Sequence, residues 1–319
     1  MRFLVTGGTG YIGSAIVKAL LQQGFTVRAT TRNLALAEQI NQEWFDLPLS
    51  KLTWHECDFT KQNNLAELVQ DCDYVLHVAS PVPQSMNPSL KAMVEPALAG
   101  VRAVMQAVSG TAVKRVIITS SIASMRNGQP TSKVFNAQSW TDLSQPVGAY
   151  AASKTIAELQ AWALHGVLPN MPELVTVLPG FVVGVPAFRE KRSASINSIK
   201  RLLRSRLVVP ASFNLVTLSD VVSVHIQAAL AVNLTSRRLP VAGYDAVSLF
   251  EVVAWLQAAG LVGAKLRLSL PKGLMPKQYR VFIEDDIKID CTNTWQQFSL
   301  EPSSVRQAII EMAQFIIKN

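Results

Sequence analysis

Apolar and polar positions change their period along this 319-residue chain, and the change divides it in two. Over the first 180 residues, short runs rich in Val, Ile and Leu alternate with segments whose apolar residues recur every three or four positions. Residues 2–6, 26–31, 52–56, 74–78, 115–119 and 174–178 are expected to be strands. Residues 11–23, 65–70, 88–109 and 150–165 are expected to be helices, with Leu65, Leu68 and Val69 on one helical face and Ile156, Leu159 and Ala163 on another. Strand and helix in alternation imply a parallel sheet wrapped on both faces, and near-continuous apolar strands suit such a buried sheet. After Gly180 the alternation gives way to Pro-punctuated, basic, loop-like stretches, with helical patterns at 219–232, 249–259 and 303–317. No repeat or low-complexity linker separates the parts. The expected architecture is α/β, a doubly wound parallel sheet over residues 1–180 with a smaller substrate-binding lobe, 181–319, packed on it and interleaved with it.

Composition narrows the class. Hydrophobic residues make up 49% and charged residues 16%, below the roughly 25% usual for soluble domains, which disfavours disorder, coiled coil and collagen-like chains. The three cysteines, Cys57, Cys72 and Cys291, and the four scattered histidines match neither a disulfide framework nor a zinc site. A reducing, cytoplasmic setting and no metal are therefore expected. A strand at residues 2–6 leaves no room for a signal peptide, and the longest apolar stretch, 174–188, is broken by Pro179, Gly180 and Pro186. At about 15 residues it falls short of the roughly 20 that span a membrane.

A candidate nucleotide site follows the first strand. Gly7, Gly10 and Gly13 lie in Thr6-Gly-Gly-Thr9-Gly-Tyr11-Ile12-Gly13, which opens an amphipathic helix. Glycines there allow a tight turn and close backbone approach to a pyrophosphate, which the helix N-terminus then holds; alone, they would also serve a plain strand-to-helix turn. The context, strand before and helix after, makes the fold reading Rossmann-type. About 18 residues on, where NAD sites carry a carboxylate, stand Thr30, Thr31 and Arg32. Arg32 can pair with a 2′-phosphate, favouring NADP(H) over NAD(H), or can be a solvated strand-end charge. Asp58 and Phe59, after the third strand, could hold the adenine edge and wall its face, or simply start a helix.

Tyr150 and Lys154, four apart at the start of a helical pattern, share a face. Thr119, Ser120 and Ser121 close another buried strand, where open parallel sheets place their ligands. Together they form a proton-transfer site. A nearby lysine cation and a positive nicotinamide ring stabilise the phenolate, so Tyr150 can act as general acid to a carbonyl oxygen that Ser121 also hydrogen-bonds.

With these residues the chain resembles the extended branch of the short-chain dehydrogenase/reductases, part of the NAD-dependent epimerase/dehydratase superfamily, and within it the dihydroflavonol reductase and cinnamoyl-type carbonyl reductase group. The matching stretches also include Val27-Arg-Ala-Thr-Thr-Arg32, His77-Val-Ala-Ser-Pro81, Lys114-Arg-Val-Ile-Ile-Thr-Ser-Ser121, Tyr150-Ala-Ala-Ser-Lys-Thr-Ile-Ala-Glu158 and Val177-Leu-Pro-Gly-Phe-Val-Val-Gly184. They keep the family's order over about 180 residues. The resemblance implies a triad of Ser121, Tyr150 and Lys154, with Lys154 also binding the nicotinamide ribose. It implies further cofactor contacts from Val78, Ala79, Ser80 and from the stretch of Pro179 to Val182.

Four departures qualify this. Thr31 replaces the acidic residue of the sugar-nucleotide epimerases. No second basic residue follows Arg32 near Glu38 and Gln39, which softens the expected NADP preference. The helix stretch Pro96-Ala-Leu-Ala-Gly100 has no Asn to serve as a fourth catalytic residue. Arg126, with Asn127 beside it, stands where plant dihydroflavonol reductases read their substrate with Asn, arguing against a flavonoid.

The net charge of +8, from 30 basic and 22 acidic side chains, is concentrated in residues 189–206, which hold seven basic residues and one acidic. Ile196, Ile199 and Leu203 share one helical face there, and Lys200, Arg201 and Arg204 fan over the other. This is either a solvated face or an attractor of an anionic substrate or a partner, with Arg126 and Arg201 the tentative substrate residues. No reading element or interleaved aromatics point to nucleic acid. The expected function is NADPH-dependent reduction of a small aldehyde or ketone by a monomer or homodimer. The alternatives are a sugar-nucleotide or hydroxysteroid oxidoreductase or epimerase using the same triad, and an idle NADP-sensing binding protein.

Overall fold

The computed structural model describes residues 1–61, 64–81, 88–128, 133–189, 193–208, 211–263, 266–267 and 287–319. Seven strands form one sheet: β1 (Arg2–Thr6), β2 (Thr26–Thr31), β3 (Leu52–Glu56), β4 (Tyr74–His77), β5 (Arg115–Thr119), β6 (Glu173–Pro179) and β7 (Arg238–Val241). All neighbours pair in parallel, in the order β3-β2-β1-β4-β5-β6-β7. Chain order reverses between β1 and β4, so a crevice opens above the carboxyl ends of those two strands.

Side chains alternate across the sheet with the two-residue period of a strand, and each face carries its own core. On one face Phe3, Val5, Val27, Ile117 and Val175 meet Val17, Leu20 and Leu21 of α1 (Tyr11–Gln22). Val221, Val224 and Ala228 of α7 (Leu218–Leu230) complete that layer. On the other face Leu4, Val75, Val116 and Ile118 meet Val101, Val104 and Met105 of α4 (Leu90–Val108) and Ala157 and Ala161 of α5 (Ala149–Val167). Each fully buried Leu, Ile or Val contributes roughly 1.5–3 kcal/mol through removal from water. Two short helices flank the sheet, α2 (Leu34–Glu43) and α3 (Leu65–Leu68).

The lobe has a separate core. Ile196, Ile199 and Leu202 of α6 (Ala194–Arg204) pack with Val252, Val253 and Leu256 of α8 (Leu249–Ala258). Ile309, Met312 and Ala313 of α10 (Val305–Lys318) close it, and α9 (Thr292–Phe298) precedes that helix. Leu202 is the third buried apolar residue of α6, whereas Leu203, expected on that face, is half-buried.

The division at residue 180 is not a clean cut. Helix α7 lies on the sheet against α1, and β7 supplies the sheet's outer strand beside β6. Sequence pattern missed β7 because its four residues include Arg238 and Pro240, and proline is confined to edge strands like this one. It also missed α2, which buries only Ala37 and Ile40; its start is marked by the Asn33 side chain, which accepts from the Leu36 N–H at 3.1 Å. Strand 74–78 ends one residue early, at His77, and helix 65–70 closes at Leu68.

Candidate active site

The loop between β1 and α1 is built around glycine. Gly7 has φ +68°, and a side chain there would strike Ala79 beyond β4. A Cβ on Gly13 would sit 2.1 Å from the Gly7 carbonyl oxygen, so the first turn of α1 closes directly on the loop. The Gly10 N–H donates to Gly7 O at 2.9 Å, and no side chain caps the helix. The N–H groups of that first turn are therefore left for an anion, and their dipole favours one. Such a cradle fits the pyrophosphate of a dinucleotide. Tyr11 Oη donates to the Gly184 carbonyl at 2.7 Å, fastening the loop to the lobe.

Ser121, Tyr150 and Lys154 come together beyond the carboxyl end of β5. Ser121 caps the short 3₁₀ turn Ile122–Ser124, its Oγ accepting from the Ala123 N–H at 3.2 Å. Its hydroxyl also lies near the phenol of Tyr150, on the first turn of α5. Burial raises the Tyr150 phenol above its usual range, and the nearby Ser121 hydroxyl partly opposes that shift by favouring the phenolate. Lys154, one turn further along, is buried and donates to the Thr119 carbonyl at 3.2 Å. Burial lowers its ammonium to about 8, against the pull of the nearby Glu158 charge. Thr119 is itself fixed by His225, Oγ1 to Nε2 at 2.9 Å.

Behind Lys154 lies a small cavity of about 20 Å³, large enough for one water, lined by polar side chains that include His77, Lys154 and Glu158 and by apolar ones that include Ala97, Val101 and Ile118. His77 is buried with Nδ1 2.8 Å from Thr6 Oγ1. Burial, helped by the Lys154 charge, holds its pKa at about 3, so the ring is neutral. Glu158, the deepest charged side chain among the described residues, pairs with Arg238 of β7 at 2.7 Å. The sequence does not announce that pair: Glu158 stands in the Tyr150–Glu158 motif, but nothing local marks its partner 80 residues later.

The remaining site candidates are more dispersed. Arg32 is exposed at the end of β2, and Thr31 is buried with Oγ1 2.9 Å from Thr9 Oγ1. Asp58 accepts from the Thr60 N–H at 3.0 Å and from its hydroxyl at 2.7 Å; chiefly through those bonds its carboxyl stays below the usual range. Its carboxylate is thus engaged in a local turn. The Phe59 ring stands edge-on to His77, centroids 5.4 Å apart, against the α4 side of the sheet. Val78, Ala79 and Ser80 follow β4 half-buried, with the Ala79 N–H donating to Thr6 Oγ1 at 3.3 Å. Pro179 ends β6, and Val182 is buried in the short strand Phe181–Val183. Ile12 is half-buried against the first core.

Arg126 follows the 3₁₀ turn, half-buried, and Arg201 is exposed on α6. Residues 190–192 of the basic stretch lie outside the described residues. Among the described residues no group of His, Cys, Asp or Glu gathers as a metal site would, and no helix is long and apolar enough to cross a membrane.

The chain is similar to known proteins. Residues 3–185, more than half of the chain, match the family model described as NAD dependent epimerase/dehydratase family. An anthocyanidin reductase ((2S)-flavan-3-ol-forming) of Vitis vinifera is 35% identical over 189 residues, 56% of this chain and 55% of that one. The match thus spans only about half the length of that relative. A cinnamoyl-CoA reductase of Medicago truncatula is 33% identical over 233 residues, 70% of this chain and 71% of that one. Among solved structures, the yeast methylglyoxal/isovaleraldehyde reductase Gre2 complexed with NADPH superposes with a TM-score of 0.84 at 23% identity, covering 100% of this chain and 98% of that one. At that identity the likeness speaks for the fold.

Proposed function

Because this chain belongs to the NAD dependent epimerase/dehydratase family, in its dihydroflavonol reductase-like group, we propose that it is an NADPH-dependent reductase of an aldehyde or ketone carbonyl. The observation that carries this reading is the convergence of Ser121, Tyr150 and Lys154 beyond β5. The glycine cradle stands in the same sheet, two strands away. When bound, NADPH supplies the hydride for the carbonyl carbon.

The rest of the chemistry belongs to the protein. Tyr150 gives its proton to the carbonyl oxygen, and Ser121 donates a hydrogen bond to the same oxygen as negative charge builds there. Lys154, held by the Thr119 carbonyl, stabilises the phenolate that Tyr150 becomes and anchors the nicotinamide ribose. The loop from Gly7 to Gly13, with Thr9, Tyr11 and Ile12, holds the pyrophosphate. Arg32 pairs with the 2′-phosphate beside an uncharged Thr31, which favours NADP(H) over NAD(H). Val78, Ala79, Ser80, Pro179 and Val182 complete the cofactor wall. Relatives named as anthocyanidin and cinnamoyl-CoA reductases support the reductase reading.

NADPH oxidation across aldehydes, diketones, ketoesters and flavanonols identifies the substrate class. In the same assay Tyr150→Phe should lose turnover by about 100-fold or more while NADPH still binds. Substantial residual turnover in Tyr150→Phe overturns the role given to the phenol.

A further inference from the structure

Glu158 has no part in proton transfer as described, yet it is buried as a charge beside the residues that do. Tyr150, Lys154 and Glu158 recur every four residues on α5 and so share one face. The carboxylate is held from two other elements. Oε2 lies 2.5 Å from Ser120 Oγ and 2.6 Å from Ser124 Oγ, the residues on either side of the Ser121 turn. Oε1 accepts from Thr176 Oγ1 of β6 at 3.0 Å and from Arg238 Nε of β7 at 2.7 Å. The single Ser124 hydroxyl proton also has the Ser121 carbonyl within reach at 2.8 Å, and the ionised carboxylate is the stronger acceptor.

Arg238 extends the junction. Its Nη1 donates to the carbonyls of Ala137, at 2.9 Å, and Ser139, and its guanidinium lies over the Trp140 ring at 3.8 Å. The neighbouring Thr141 returns to the same turn, N–H to Ser124 O at 2.8 Å and Oγ1 to Ala123 O at 2.8 Å. The turn that aims Ser121 is thus bound to α5, to two strands and to the 137–141 loop, with one carboxylate at the centre.

We propose that Glu158 is a positioning residue, clamping the Ser121 turn to the face of α5 that bears Tyr150 and Lys154, and that its negative charge supports the Lys154 ammonium across the small cavity they both line. The proposal rests on the reading of those three residues as the proton-transfer site. The groups around Lys154 leave Glu158 as the source of negative charge. From β4 comes neutral His77, from β5 the uncharged Thr119 and Ser120, and α4 lines the cavity with Ala97 and Val101. Its own helix also carries Tyr150 and, about three turns further on, His165, and the positive Arg238 is engaged by the carboxylate itself.

Glu158→Gln and Ser124→Ala test the two halves. Each is assayed for NADPH binding and for kcat, and the Lys154 side chain is titrated by NMR in the protein without cofactor, its signal assigned by Lys154→Arg. Glu158→Gln should bind NADPH within about threefold of the original, with kcat lower by about 100-fold, as a misaimed donor predicts. Its Lys154 titration should move to lower pH by about one unit. Ser124→Ala leaves the charge in place, so kcat should fall by roughly tenfold with the Lys154 titration unmoved.

A folded Glu158→Gln with kcat within about twofold of the original overturns the clamp, and an unmoved Lys154 titration overturns the electrostatic support. If Glu158→Gln does not fold, an undiminished kcat in Ser124→Ala overturns the clamp. If the unaltered protein reduces no carbonyl, the reductase reading fails separately. The Lys154 titration needs neither cofactor nor turnover, so it still decides on Glu158.

Discussion

At the scale of single residues, the site is made of short-range constraints that a sequence displays and long-range ones that it does not. The glycines, Tyr150 and Lys154 were legible because their chemistry is set within four to seven positions of chain. The Glu158–Arg238 pair was not, because it joins a helix to a strand 80 residues later. Gly13→Ala should weaken NADPH binding by tenfold or more, since the new methyl meets Gly7 O inside van der Waals contact; fluorescence titration measures this. Arg32→Ala should narrow the ratio of kcat/KM for NADPH over NADH by about tenfold, through loss of a charge-assisted phosphate contact. An unchanged ratio would show that the 2′-phosphate is held elsewhere.

Lys154 gives a pH dependence of definite sign. Its ammonium, lowered by burial to about 8 from an ordinary 10.5, is charged in the working site below pH 8. The alkaline limb of kcat/KM in the free enzyme should therefore fall near pH 8. Stability runs the other way. Between pH 8 and 10.5 the unfolded chain binds a proton at this lysine that the folded chain does not, so its contribution to unfolding free energy rises with pH. Denaturant melts across that window, compared with Lys154→Met, measure this contribution.

At the scale of elements, what the sequence revealed depended on how plainly an element's own residues show its period. Strands β1 and β5 are buried at nearly every position, and they, β2 and β3 begin and end at the expected residues. Strand β7 is just as buried, but Arg238 and Pro240 interrupt its apolar run, and the surface helix α2 buries only Ala37 and Ile40, so both leave weaker traces. Helix α2 illustrates how little is needed. Ile40 is fully buried in the first core while Leu34 is 45% exposed. Ile40→Ala should cost about 2–5 kcal/mol and Leu34→Ala within about 0.5 kcal/mol, read from equilibrium unfolding. Equal losses at the two positions would mean that α2 docks by another face.

At the scale of the whole molecule, the lobe is fastened to the sheet by specific polar ties. Besides Tyr11 to Gly184, Trp44 Nε1 donates to Ala187 O at 2.9 Å. Asp220 of α7 accepts from both the N–H and the hydroxyl of Ser303, at 2.9 and 2.6 Å. Tyr11→Phe leaves the Gly184 carbonyl without its donor and should cost about 1–3 kcal/mol. Amide exchange should quicken around Gly184 and in α10, with β4 and β5 unaffected; uniform acceleration would show that lobe and sheet open as one unit.

The outer strand β7 also fixes when this site can come into being. A ribosome releases Glu158 well before it releases Arg238, so the nascent chain first holds a carboxylate with no cation to pair it and a sheet one strand short. Burying that charge alone is strongly unfavourable, which keeps the turn at Ser121 unsettled until synthesis has passed Arg238. A stop codon anywhere before that residue therefore spares no working remnant, even though the cradle, Ser121, Tyr150 and Lys154 have all been translated by then.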